Sequence, residues 1–135
     1  MNIFVCLDDR DGMLFNNRRQ SADEAVCKYI RELAKGRCLR MNAYSSGLFS
    51  GDDDLSVGDD FLSQAEENDW CFVENTDVLP YLDQVKTVVI FRWNRVYPRD
   101  TYFPMNELTA RWKLVETFAF PGSSHERITQ ERYER

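Results

Sequence analysis

The sequence predicts a three-layer α/β domain over residues 1–135, with a mostly parallel sheet and an antiparallel pair at its C-terminal edge. Three observations carry that expectation. Apolar runs at 2–8, 70–75 and 86–93 read as buried strands, because parallel strands covered on both faces lose the alternation of polarity. Helical patterns separate these runs, the order expected of strands joined by crossovers. Last, 111–120 and 126–135 flank a Pro-Gly turn, and would pair antiparallel if the second is a strand rather than a helix.

Taken in order, "NIFVCLD" runs into the acidic turn "DDRDG". In "SADEAVCKYIRELAKG" (21–36), Ser21 and Glu24 have capping-box spacing, so each can satisfy an amide of the first turn. Val26, Tyr29, Ile30 and Leu33 form an apolar stripe at helical spacing, and Gly36 can take a left-handed C-cap. "RCLRMNAY" alternates as a strand, with Cys38, Leu39 and Met41 as its apolar members. Residues 46–60 are rich in Gly, Ser and Asp and read as a loop, whereas "DDFLSQAEEN" (59–68) reads as a short acidic helix. "TDVLPYLDQV" (76–85) is a second short helix, capped by Thr76 or Asp77 and limited by Pro80. "KTVVIFRW" is β-branched and the strongest strand, and "NRVYPRDTYFPMNEL" (94–108) is aromatic and broken by proline.

Composition narrows the function classes. A net charge of −6 disfavours non-specific attraction to nucleic acid or an anionic membrane. No apolar run has the ~18 residues of a membrane span, and the acidic N-terminus is unlike a signal peptide. Cys6, Cys27, Cys38 and Cys71 contain no C-x-x-C spacing and read as reduced core residues of a cytoplasmic protein. With His125 as the sole histidine, a multi-histidine metal centre is excluded and no metal is expected. "GDDDLSVGDD" (51–60) lacks the ligand spacing and closing Glu of a calcium loop.

The order of "LDDRDGMLFNN…SADEA", "LRMNAYSS" and "DTYFP…WKLVETFAF…ITQERYER" resembles the dihydrofolate reductases over about two-thirds of the chain. The resemblance implies that family's fold. It places Asp23 at the catalytic carboxylate, a proton relay beside a pterin ring, and sets Met41 and Ser45 in register with the family's M-G-R-x-T segment. Asp23 in a first helical turn would also simply favour the helix dipole. The family's cofactor elements are altered. Arg92 and Trp93 stand where a Gly-Gly pair lets backbone approach a nicotinamide dinucleotide, and Asn42 and Ala43 replace the Gly and Arg of M-G-R. The blocks "RWNRVYPRDTYFP" and "FPGSSHERIT" also resemble those of a group of small bacterial proteins of unassigned function.

The expectation is therefore a shortened, degenerate member of that fold with no cofactor. It would be a non-catalytic cytoplasmic domain binding a small anion, a nucleotide or a protein partner, with a homo-oligomer open. Arg18 and Arg19, with Trp93, Arg95 and Tyr97, are the candidate ligand-binding residues at the carboxyl ends of the strands. Trp93, Arg95 and Tyr97 would share a face if the strand continued. Alternatively, Arg92, Arg95 and Arg99 would pair with the acidic residues 52–60. The rivals are a nicotinamide-dependent reductase with a remodelled site and Asp23 as proton donor, and an RNA-binding module using the Arg and aromatic segment. Ser123, Ser124 and His125 read as turn chemistry, since no G-x-S-x-G elbow is present.

Overall fold

The structure, a computed structural model, describes residues 1–52 and 54–135. Five of the strands in its main sheet are parallel neighbours: β1 (Asn2–Leu7), β4 (Leu39–Met41), β5 (Leu55–Val57), β6 (Trp70–Val73) and β7 (Thr87–Arg92). Two more, β9 (Lys113–Phe120) and β10 (Ile128–Glu134), form the antiparallel edge, giving the order β5-β4-β6-β1-β7-β10-β9. A second sheet joins β2 (Gly12–Phe15), β3 (Arg18–Arg19) and β8 (Thr101–Tyr102).

β1 is central, and its alternation sorts the core into two halves. Phe4 packs with Phe72, Val89 and Phe91 on one face, under helix α1 (Glu24–Leu33), which contributes Val26, Cys27 and Ile30. Ile3, Val5 and Leu7 pack with Cys71, Val88 and Ile90 on the other. That face is covered by Leu108 of α3 (Met105–Arg111; α2 is the single turn Ala43–Ser46) and by Leu82 of a 3₁₀ segment at Leu79–Gln84. Both faces are thus apolar, and this explains why the central strands read as unbroken apolar runs.

The structure corrects several local expectations. The N-cap of α1 is Asp23, whose carboxylate accepts from the Ala25 N–H, so Ser21 is released for other contacts. The helix ends at Ala34, and Gly36, at φ +79°, lies in the following turn. Residues 59–68 form turns rather than a helix, with the Gln64 amide and carboxamide both bonded to Asp60. The supposed loop 46–60 contributes the edge strand β5, while Asp53 lies outside the described residues. The Asn16–Asn17 pair, with φ +52° and +60°, turns β2 back into β3 as a tight hairpin.

The four cysteines are free thiols; Cys27 and Cys71 are buried, while Cys6 and Cys38 are half-buried. Among the described residues no helix is long and apolar enough to cross a membrane, and no group of three or more ligating side chains would hold a metal.

Candidate functional site

The carboxyl ends of β1 and β7 meet the start of α1, the hairpin β2–β3 and the turn 121–125. Asp8 organises this corner. It is fully buried, and its carboxylate accepts from the Arg10, Gly12 and Tyr97 N–H groups and from the Gln20 carboxamide, at 2.8–3.2 Å. Burial would raise its pKa, but these donors outweigh that and hold it below the usual value. The turn at 8–12 is thereby tied to Tyr97.

Asp23 is the second anchor. Its Oδ1 accepts from the Ala25 and Ser123 N–H groups, both at 2.9 Å. Its Oδ2 accepts from the Ser124 N–H at 2.9 Å, the His125 N–H at 3.1 Å and the His125 ring Nδ1 at 3.0 Å. Burial disfavours the charged form, yet the bonds from Ser123, His125, Ser124 and Ala25 prevail and lower its pKa to about 2. A carboxylate facing Nδ1 requires a proton on Nδ1, so in the neutral ring Nε2 carries the lone pair. Nε2 lies 3.1 Å from Ser21 Oγ and 2.9 Å from the Tyr97 hydroxyl. Trp93 stacks on the imidazole, with ring centroids 4.6 Å apart, and fixes its plane.

Beside this cluster opens a cleft of about 520 Å³, lined by Phe15, Asn16, Arg18, Arg19, Gln20 and Tyr97, with Pro98 at its rim. Arg19 is held in a bidentate pair with Glu74 (2.8 and 3.0 Å) and lies over the Tyr44 ring. Ser45 Oγ donates to the same glutamate at 2.8 Å. Arg18 is exposed and makes no ion pair among the described residues.

Of the residues singled out from sequence, Arg18, Arg19 and Tyr97 therefore share one cleft, and Asp23 and Trp93 stand behind it through His125. Arg95 does not join them. The strand stops at Arg92, and Asn94, at φ +58°, turns the chain so that Arg95 points to solvent. Nor, among the described residues, do the arginines pair with 52–60. Arg92 binds Asp11 (2.6 Å) and Glu131 (3.1 Å), and Arg99 lies 3.9 Å from Asp8. Sequence reasoning missed Ser21 and His125, which are 104 positions apart. No local pattern signals such a pair.

The end of β7 does not fit a dinucleotide of the kind the fold implies. Trp93 is buried and its N–H donates to the Leu7 carbonyl, while Arg92 is locked between two carboxylates. Side chains stand where the resemblance to the reductases implies a Gly-Gly pair.

The architecture is that of the dihydrofolate-reductase-like fold: a mostly parallel sheet, helices on both faces and an antiparallel C-terminal edge. A solved structure of this kind is the dihydrofolate reductase from Enterococcus faecalis complexed with NADP(H) and RAB-propyl. It superposes with a TM-score of 0.70 over 99% of this chain and 95% of that one, at 12% identity. No family model matches the sequence, nor does any curated protein.

Proposed function

We propose that this chain is a dihydrofolate-reductase-like domain that binds a small anionic ligand, of the nucleotide or phosphate class, and does not reduce pterins. The observation that carries the reading is the cleft at 15–20 and 97–98, where the guanidinium of Arg18 is free of any carboxylate partner among the described residues. On a chain of net charge −6 a cationic recess is a local exception, and low-dielectric walls focus its field. Two features argue against hydride transfer to a pterin. The carboxylate of Asp23 is spent on five protein donors, and Trp93 closes the end of β7.

Thermal unfolding with and without millimolar nucleoside diphosphate, inorganic phosphate or NADPH tests this. A ligand at 100 times its dissociation constant adds about 2.7 kcal/mol, which raises the midpoint of a domain this size by about 5 to 15 °C. We expect such a rise with a phosphate-bearing ligand, and its loss in Arg18→Ala. Oxidation of NADPH by the protein in the presence of a dihydropterin would instead establish the reductase reading. No shift with any anion would turn attention to a protein partner.

A further inference from the structure

We infer that Ser21, His125 and Asp23 form a nucleophilic hydrolytic site opening on the cleft, suited to a small ester that carries a negative charge. The connectivity is hydroxyl, imidazole, carboxylate: Ser21 Oγ to Nε2 at 3.1 Å, and Nδ1 to Asp23 Oδ2 at 3.0 Å. These are the contacts that activation of a serine needs, a base within hydrogen-bond reach and a third group orienting it. The His125 side chain is 3% exposed and stacked on Trp93, so its Nε2 faces Ser21 and Tyr97. Ser21 is half-buried and adjoins Gln20, which lines the cleft, as does Tyr97 on the other side of Nε2.

A merely structural histidine would serve Asp23 equally well with Nε2 in solvent or against one partner. Here Nε2 has one lone pair and two hydroxyl protons competing for it. The expectation of a non-catalytic domain rests on the altered cofactor elements, which bear on hydride transfer and not on this chemistry.

In the reaction, Ser21 Oγ bonds to the carbonyl carbon as its proton passes to Nε2, and the carbonyl π pair moves onto oxygen. Once Nε2 is protonated it accepts nothing, and the Tyr97 hydroxyl is freed to donate to that oxyanion. The oxyanion collapses, the carbon–oxygen bond to the alcohol breaks, and the alkoxide takes the proton from Nε2. Water then repeats the sequence and releases the carboxylic acid. Ser21, His125 and Tyr97 are the catalytic residues, Asp23 positions the ring, and Arg18 receives the charged end of the ester.

This assignment shares the cleft of the anion-binding reading, so its test uses a small neutral probe that makes no use of Arg18. The protein is treated with phenylmethanesulfonyl fluoride and the adduct is located by peptide mass spectrometry. The Ser21 oxygen–sulfur bond forms as fluoride leaves. We expect a single adduct on Ser21, absent in Ser21→Ala, which keeps the native circular dichroism spectrum. The rate should fall by about 100-fold in His125→Gln, the lower range for loss of a general base. Tyr97→Phe should still be labelled on Ser21. In Asp23→Asn the rate should fall and become dependent on hydroxide, because the ring no longer holds its proton on Nδ1.

No adduct on Ser21, an adduct on Tyr97 instead, or equal labelling of His125→Gln and the unaltered protein would each overturn the assignment. Labelling of Ser21 without any anion-induced rise in unfolding temperature would leave the triad standing and the anionic ligand class refuted.

Discussion

Asp23 joins stability and site in one side chain. It caps α1, pins three consecutive amides of 123–125 and orients His125. Its pKa in the folded protein is about 2, below the ordinary 3.8, so the charged form is favoured by folding. The stabilisation is complete above the ordinary value and is lost as pH falls from about 4 towards 2. A shift of this size corresponds to about 2 kcal/mol. Urea unfolding midpoints measured between pH 2 and 6 should show this fall, and Asp23→Asn should flatten it. At pH 7 the same substitution should cost about 2 to 4 kcal/mol, because an amide cannot accept all five bonds and leaves buried donors unpaired. A carboxylate at the start of the helix was legible in the sequence. Its capture by His125 was not, because the turn that supplies the imidazole is about 100 residues away.

At the scale of elements, the turn 121–125 fits against the start of α1 only because residue 122 lacks a side chain. A Cβ on Gly122 would lie 2.5 Å from Asp23 Oδ2 and 2.7 Å from the His125 carbonyl oxygen. Neither atom is the free end of a flexible chain, so Gly122→Ala should cost about 1 to 3 kcal/mol, read as a lower thermal midpoint. Gly47→Ala is the matched control. Nothing lies within 4 Å of a Cβ there and its φ is −60°, so the midpoint should move little. Strands β1, β6 and β7 and helix α1 were legible because both-face burial and helical spacing write themselves into apolar runs. The hairpin β2–β3 was hidden, although Asn16–Asn17 is the kind of pair that accepts positive φ. Segment 59–68 misled in the other direction. Phe61 and Leu62 do enter the core, but the polar residues around them satisfy themselves through Asp60 in turns and not in a helical ladder.

The whole molecule buries two thiols within the main sheet and its covering helix. Cys71 is inaccessible, with its pKa pushed up to about 12 by burial, and Cys27 is pushed up to about 11 by the same cause. Thiolate is the reactive species, so both should resist a disulfide reagent in the native state. The expected outcome is that Cys71 reacts at a rate that rises with urea in parallel with the unfolded fraction, and that full unfolding exposes all four thiols. Fast native modification of Cys71 would mean that β6 opens independently of the rest.

The sequence by itself determined the layer architecture, since the period and length of apolar runs are local quantities set by which faces are buried. It also determined that Arg92 and Trp93, and not a pair of glycines, stand at the end of β7. Only the tertiary structure decided which polar groups meet. Ser21, Asp23, Tyr97 and His125 come from three separate stretches of chain. Their contact depends on how the antiparallel edge returns over α1, and on Asp8 drawing Tyr97 inward. Arg19 and Arg95 show the same limit from the other side. They are equal as residue types, but Glu74 captures the first in the fold, while a left-handed turn at Asn94 sends the second to solvent. Pairings across the chain have no periodic signature, because they are set by the packing of elements and not by the spacing of residues within them.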